Sequence, residues 1–113
     1  MNAALEYRNV VEDFVLEKDI LYYRTGSHGL VSFHGKNFNV RRRLSTEQLQ
    51  KILAEGIFYK VNTDCYVNIL KIETIKDSRV YFEYHNPDAK CVPVSRNKNF
   101  RLKELLDHQP IHN

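Results

Sequence analysis

The amino-acid sequence predicts a mainly β fold with antiparallel pairing of the strands and one inserted helix. Short apolar or aromatic runs alternate with turn-forming residues along most of the chain, as they do in successive hairpins. The chain has 7 Tyr, 6 Phe and no Trp, a composition that favours strands. Since 42% of the residues are hydrophobic and 27% are charged, the 113 residues are expected to fold around a core of their own.

Four strands are predicted before the helix. They share short apolar or aromatic runs and lie at residues 14–16, 20–23, 30–33 and 38–40. Residues 25–29 hold two glycines among small polar side chains, so they are predicted to form an exposed loop. Residues 35–37 are typical of a turn, and the strands on either side of them would pair as a hairpin.

The inserted helix has the clearest local pattern in the sequence. Ser45 can cap the helix, and Gln48 three residues later completes a capping box. The apolar face that follows has helical spacing and consists of Leu49, Ile52 and Leu53. Leu44, before the cap, is placed to pack against the first of these leucines as a hydrophobic staple. With Gly56 as its C-terminal stop, the helix is predicted at residues 46–55.

The second half of the chain returns to strands and closes with a short helix. The strands are predicted at 58–61, 66–69, 72–75, 80–84 and 90–94. Polar turns separate them at 62–64, 77–78 and 85–89. Pro93 lacks a backbone N–H, which places the last strand at a sheet edge or a bulge. Leu102, Leu105 and Leu106 have the spacing of a short C-terminal helix.

The charge distribution permits a polyanionic partner without requiring one. The formal charge is +3, from 17 Lys plus Arg against 14 Asp plus Glu. Acidic side chains gather before residue 20, and basic ones gather at 41–43 and 90–103, an asymmetry that fits one face turned toward phosphate. For any single run an ordinary solvated surface is the commoner explanation, so 41–43 is at most a phosphate-steering patch.

The sequence gives little support to an enzyme. Only His108 and His112 lie four residues apart, and Pro110 between them breaks the helix that a metal pair would need. The chain carries no phosphate-loop, dinucleotide or serine-nucleophile motif. Cys65 and Cys91 lack metal-type spacing and are expected to be reduced, half-buried thiols. We therefore predict no catalysis, no cofactor, no metal and no small-molecule substrate.

Membrane insertion and export are not expected either. The first ten residues lack the apolar segment of a signal peptide, and no run approaches the ~20 apolar residues of a membrane span. The predicted location is the cytoplasm.

Three polar segments interrupt the strand pattern with side chains suited to DNA: residues 27–28, 60–64 and 95–99. Arginine pairs bidentately with guanine edges and asparagine with adenine edges. Serine, threonine and lysine mostly meet phosphate oxygens. Because loops are generally polar, the residue types alone favour plain surface loops.

An ordered set of motifs resembles the LytTR DNA-binding family. Residues 58–68, FYKVNTDCYVN, have its aromatic pair and basic residue, then a polar triplet, an apolar triplet and Asn. Residues 92–96, VPVSR, are similar to its closing motif, in which apolar residues and Pro lead into Ser-Arg. Residues 19–23 resemble its first strand, and 38–53 resemble its hairpin and helix. The resemblance covers about residues 14–106.

The resemblance implies an elongated stack of small antiparallel β-sheets with one short internal helix and a short C-terminal helix. It further implies a bacterial transcription regulator that contacts double-stranded DNA from loops lying in successive grooves. The DNA-binding residues carried over by position are His28, Asn62, Thr63, Arg96, Asn97 and Lys98. Further phosphate contacts are assigned to Ser27, Lys60 and Ser95.

The middle triplet, 62–64, departs from the usual basic pattern of the family. Asp64 would repel a phosphate, because like charges repel. We expect its carboxylate to accept a hydrogen bond from a backbone amide and so to shape the turn.

The expected organisation is a single domain over residues 1–113, with a core at about 14–106 and loose ends at 1–8 and 108–113. Partners typical of the family are an upstream receiver domain of a two-component system, or a membrane regulator, and a second copy on repeated half-sites. The alternative function is a β-rich protein-interaction module that holds a regulatory partner without binding DNA. The small net charge and Asp64 would favour it. Binding of single-stranded RNA lacks the aromatic-rich motif it would need.

Overall fold

The computed structural model describes residues 15–107, which form eight strands and three α-helices. The strands are β1 (Ile20–Thr25), β2 (Leu30–Gly35), β3 (Asn39–Arg43), β4 (Phe58–Asn62), β5 (Cys65–Asn68), β6 (Thr74–Lys76), β7 (Arg79–Tyr81) and β8 (Cys91–Pro93). The helices are α1 (Leu16–Asp19), α2 (Thr46–Ala54) and α3 (Arg96–Asp107). Single 3₁₀ turns lie at Ser27–Gly29 and Ile69–Lys71. The predicted loose ends at 1–8 and 108–113, with His108 and His112, lie outside the described residues.

The strands form two antiparallel sheets, one of five strands in the order β3-β2-β1-β5-β4 and one of three in the order β6-β7-β8. The molecule measures 41 Å along its longest axis and 28 and 26 Å across it. The predicted fold class is therefore confirmed: small antiparallel sheets, an internal helix and a C-terminal helix. Pro93 lies on β8, an edge strand, as its missing N–H predicts. Within residues 15–107 no helix is both long and apolar enough to cross a membrane.

Each face of the five-stranded sheet carries its own hydrophobic core. Tyr22 and Tyr23 are 8% and 0% exposed although successive side chains of a strand point to opposite faces. Tyr23 packs on the side of α1 and α2, where its ring stacks on Tyr66 with 4.8 Å between the centroids. Tyr22 packs on the side of the smaller sheet and α3, which contributes Leu102. The central strand β1 thus holds two layers together.

The buried side chain of Asn68 ties the start of β1 to the end of β5. Its Nδ2 donates to the carbonyl oxygens of Glu17 and Ile20, at 3.1 and 2.9 Å. Its Oδ1 accepts from the N–H of Leu70 at 2.9 Å. Both amide hydrogens and the amide oxygen are satisfied, so this polar group is buried at little cost.

The start of the described chain is helical, whereas a strand was predicted at 14–16. Val15 and Leu16 lead into α1, in which the Val15 carbonyl accepts from the N–H of Asp19 at 2.8 Å. Leu16 and Ile20 are four residues apart, so one helical turn puts both on the same side, and both are buried in one core. The tertiary core outweighs the strand propensity of the run; Phe14 lies outside the described residues.

Helix α2 confirms the capping prediction. Ser45 Oγ accepts from the N–H of Gln48 at 3.1 Å, and Gln48 Oε1 accepts from the N–H of Ser45 at 2.8 Å. Ile52 is buried, but Leu53 is 41% exposed, so the predicted apolar face is narrower than expected. The helix ends at Ala54, just before Gly56, which has the left-handed φ of +75°.

The strands of the second half of the chain lie within two residues of their predicted bounds, except for one that ends three residues early. Residues 80–84 were predicted as one strand, but β7 ends at Tyr81. The Glu73 carboxylate accepts from the N–H of Tyr84 at 2.8 Å, which draws the chain out of the ladder. Both cysteines are free, as expected, and burial raises the pKa of the Cys65 thiol to about 11. That thiol therefore stays protonated at neutral pH.

Replacing Asn68 tests how much its amide, which links the start of β1 to the end of β5, contributes to the stability of the fold. We expect Asn68→Leu to lower the free energy of unfolding by about 3 kcal/mol, because each buried partner left unsatisfied costs about 1–3 kcal/mol. Urea denaturation measures the change. Asn37→Leu, at an exposed position in the β2–β3 turn, is the control and should stay within about 0.5 kcal/mol of the native chain. Equal stability of the two variants would contradict this role.

Candidate nucleic-acid interface

Two of the three predicted contact segments meet at one end of the five-stranded sheet. The Ser27–Gly29 turn joins β1 to β2, and residues 62–64 join β4 to β5. Because β1 pairs antiparallel with β5, the end of β1 lies beside the start of β5. The N–H of Thr25 donates to the carbonyl of Asp64 at 2.9 Å, which joins the two turns directly.

The third segment joins the same end through the last strand. The N–H of Ser95 donates to the carbonyl of Val61 at 2.9 Å. Asn62 Nδ2 donates to the carbonyl of Pro93 at 3.1 Å. We call the resulting surface the loop end; it consists of residues 27–29, 62–64 and 95–98. It brings together segments that are about 70 residues apart in the chain.

His28 projects from the loop end on a constrained backbone. It is exposed and has φ 59° and ψ 33°, in the left-handed region that few non-glycine residues adopt. Arg43 Nη1 donates to its carbonyl at 2.6 Å, and the N–H of Leu44 donates to the carbonyl of Gly29 at 2.8 Å. The end of β3 therefore holds this turn in place, a role for Arg43 that its place in a basic run did not reveal.

Position 29 requires a glycine for two reasons, its backbone conformation and the atoms packed against it. Its φ is +76°, and an added Cβ would lie 2.4 Å from the carbonyl oxygen of Leu44. Backbone atoms cannot give way as a flexible side chain can, so a larger residue here would displace the turn that carries His28.

The middle turn presents Thr63 and uses Asn62 internally. Asn62 is half-buried; besides its bond to Pro93, its Oδ1 accepts from the N–H of Asp64 at 3.4 Å. Thr63, at the tip, is exposed. The amide of Asn62 thus fixes the turn against β8, and the side chain offered to a partner is that of Thr63.

The Asp64 carboxylate was expected to accept a hydrogen bond from a backbone amide, but among residues 15–107 its partner is a side chain instead. Its Oδ1 lies 3.5 Å from Arg24 Nη1, and the two side chains are 51% and 39% exposed. Such an exposed pair adds little stability, but it places a positive charge beside the carboxylate. Arg24 was not singled out from the sequence. It shares a strand face with Tyr22, whose ring centroid is 5.9 Å from the guanidinium carbon.

The third segment is helical, whereas residues 95–99 were predicted as a contact loop. Helix α3 begins at Arg96, and the N–H of Asn99 donates to the carbonyl of Ser95 at 2.9 Å. The half-buried or buried positions of α3 form one helical stripe: Lys98, Asn99, Leu102, Leu105 and Leu106. The first two residues of this stripe, Lys98 and Asn99, are polar. The spacing of hydrophobic residues in the sequence therefore predicts only the later part of the helix.

The first turn of α3 keeps the predicted contact residues accessible. Ser95, Arg96 and Asn97 are exposed. Lys98 is half-buried, with its Nζ 6.0 Å from the ring centroid of Tyr59. The donors of Arg96 and Asn97 therefore project from the start of a helix, a more rigid support than the predicted loop.

Lys60 lies apart from Lys98. Its Nζ is 5.9 Å from the ring centroid of Tyr66, which packs in the core on the side of α2. Tyr59, next to Lys60 on β4, packs in the opposite core. The two lysines thus flank the edge strand on opposite faces. Ser27 is exposed in the first turn.

Comparison with known proteins identifies the family. The model of the LytTr DNA-binding domain matches residues 14–107, so the chain belongs to this family. One solved structure that it resembles is a LytTr DNA-binding domain from Bacillus cereus, described as that of a methyl-accepting/DNA response regulator. The TM-score is 0.58 at 16% identity, over 81% of this chain and 84% of that chain, and shows a shared fold. A search of curated proteins gives no significant match.

The described residues offer no arrangement for metal chemistry. Within 15–107 no group of three or more His, Cys, Asp and Glu side chains is placed to hold a metal ion. The family itself is a DNA-binding family and not a catalytic one.

Two glycines with nearly the same backbone angle allow the clash at Gly29 to be separated from backbone strain. Gly56 has φ +75° and open space where a Cβ would stand. We expect Gly56→Ala to lower the free energy of unfolding by about 1–2 kcal/mol, because an alanine is strained in the left-handed conformation. Gly29→Ala should cost clearly more, because the Leu44 carbonyl must also move. Urea denaturation of both variants measures the difference, and equal costs would show that the turn adapts freely.

Proposed function

We propose that this chain is a transcription regulator that binds double-stranded DNA at specific sequences through the loop end. The observation that carries the proposal is the contiguity of three separate segments. Two backbone hydrogen bonds hold these segments together on one surface. The N–H of Thr25 donates to the carbonyl of Asp64, and the N–H of Ser95 donates to the carbonyl of Val61. A surface of this kind suits a duplex, because turns at its two sides can enter successive grooves.

Arg96 and Asn97 are the leading candidates for reading bases. Both side chains are exposed on the first turn of α3, and neither has a hydrogen-bond partner among the described residues. Their donor patterns match guanine and adenine edges respectively. His28 is proposed as the base contact on the other side. Its left-handed backbone is the kind of local strain that functional sites retain.

The remaining contacts are proposed to position the duplex. Lys98, Ser27 and Ser95 would meet phosphate oxygens around the base contacts, and Lys60 would meet the backbone beside β4. Thr63 would contact DNA from the middle turn. Asn62 would act there mainly by holding that turn, since both ends of its amide are engaged within the protein. The ion pair of Asp64 with Arg24 would reduce the repulsion between that carboxylate and a phosphate.

The biological setting that we propose follows from the family. The chain would act as a single domain in the cytoplasm of a bacterium, as the output part of a two-component response regulator. A receiver domain or a membrane regulator would control it, and two copies would bind repeated half-sites. No catalytic step is part of the proposal.

Arg96→Ala tests the base contacts. Binding sites are first selected from random duplex DNA, and affinities are then measured on the selected site by mobility shift. We expect a loss of about 1–3 kcal/mol on that site, the usual worth of a bidentate base contact, and a relaxed preference at one base pair. Lys71→Ala removes one positive charge at the opposite end of the sheet and should leave specific binding nearly unchanged. Unchanged affinity in Arg96→Ala would exclude Arg96 as a base contact.

Lys98→Ala tests the phosphate contacts. We expect it to weaken selected and random duplexes by similar factors and to reduce the slope of log affinity against log salt by about 0.9, the value for one lost phosphate contact. An unchanged slope would remove Lys98 from the interface. If the native chain fails to bind even random duplex DNA at low salt, the proposed function is wrong and the protein-interaction alternative gains support.

A further inference from the structure

A cleft of about 360 Å³ opens at the end of the five-stranded sheet opposite the loop end. Four lysines line it, among them Lys18, Lys71 and Lys90, and its floor is apolar, with Leu21, Phe38 and Phe82. Lys18 precedes β1 and Lys71 follows β5, whereas Phe82 and Lys90 come from the connection between β7 and β8. The cleft therefore lies between the two sheets. Strand β1, with six residues, separates it from the loop end by about 17–20 Å.

The walls of the cleft are held in place by two sets of polar contacts. Lys90 Nζ donates to the carbonyls of Gly35 and Phe38, at 2.6 and 3.0 Å, and to Asn39 Oδ1 at 2.8 Å. Lys36 Nζ lies 2.9 Å from Glu83 Oε1. Both contacts tie the β2–β3 turn to the β7–β8 connection. The cleft is thus formed before any ligand enters, which lowers the cost of binding.

The charges at the cleft include two ammonium groups that form no ion pair with another described residue. Lys18 and Lys71 have no carboxylate partner among residues 15–107, the part of the chain that the structure describes. Two carboxylates, Asp19 and Glu83, also line the cleft, so four lysines against two carboxylates leave its lining with a net charge of +2. Asp19 Oδ2 accepts from the N–H of Val15 at 2.7 Å, and Glu83 pairs with Lys36. An anionic group would therefore be attracted to Lys18 and Lys71.

The floor of the cleft calls for an apolar group. Phe82 and Leu21 belong to the hydrophobic core on this face of the sheet, and Phe38 packs against the other core. All three residues line the cleft. Its volume is at the lower end of the range of ~300–1,000 Å³ for small-molecule sites. The apolar floor, the lysines at the rim and the small volume together favour a small anion with an apolar body.

We propose that this cleft binds a small organic anion with an aromatic body, of the class of aryl carboxylates. The carboxylate lies between the ammonium groups of Lys18 and Lys71, and the ring rests on Phe38 and Phe82. The ligand contacts both sheets and is bound without being transformed. The proposal is independent of DNA binding, since it uses no residue of the loop end.

The test uses 2-naphthoate as the probe, with 2-naphthalenemethanol as the neutral analogue and inorganic phosphate as the anion without a ring. Binding is followed by amide chemical shifts of the whole chain. We expect naphthoate to shift the signals of residues 18–21, 36–38, 71 and 82–90, and to bind about tenfold or more tightly than either comparison compound. Equal affinity for the alcohol would overturn the anion site, and equal affinity for phosphate would overturn the aromatic floor.

Variants locate the site. Lys18→Gln with Lys71→Gln should weaken naphthoate about tenfold or more, while the affinity for the neutral alcohol stays the same. Arg101→Gln with Lys103→Gln, at two exposed positions on α3, also removes two positive charges; it is the matched control and should not change naphthoate binding. Thermal unfolding checks that each variant is folded. Unchanged naphthoate affinity in the double variant, or shifts confined to the loop end, would exclude the cleft as the site.

Discussion

The pairing of β1 with β5 is the constraint on which the rest of the structure depends. It joins residues 22–24 to residues 65–67 and makes β1 the central strand of the larger sheet. The Asn68 amide stabilises this pairing by binding the backbone at Glu17 and Ile20. Because β1 is central, its successive side chains build two cores, and α3 and the smaller sheet can pack on one face while α2 covers the other. Loss of this register would therefore affect both cores at once.

The same pairing creates the loop end. Antiparallel strands bring the end of β1, the end of β4 and the start of β5 to one edge, and the β8–α3 junction joins them through Val61 and Asn62. The candidate site thus results from the strand order of the sheet, and backbone hydrogen bonds and the side chain of Arg43 hold its segments in place. At the opposite edge, the cleft between the sheets has its own fixed contacts through Lys90. The two ends differ in chemistry: the loop end presents exposed polar donors, and the cleft combines lysines with aromatic rings.

Local patterns predicted what local interactions decide. The capping box, the turn residues and the alternating strands were all found in the sequence, because each depends on residues a few positions apart. The predictions failed where burial in the tertiary core or a distant contact outweighed local preference. Val15 and Leu16 became part of a helical start because Leu16 packs beside Ile20 in the core. Residues 96–99 became helical because Lys98 and Asn99 extend the buried stripe of Leu102. The carboxylate of Asp64 forms an ion pair with Arg24, which lies 40 residues away in the sequence.

The sequence by itself determined the fold class, the family and the three segments of the candidate site. These follow from short-range spacing and from motifs whose order is readable along the chain. Only the tertiary structure decided that the three segments form one surface, that Asn62 is engaged inside it while Thr63 is offered, and that Arg96 starts a helix. The physical reason is that these features depend on pairing between strands and on burial against distant residues. Neither strand pairing nor burial against distant residues can be recognised from residues that are close together in the sequence.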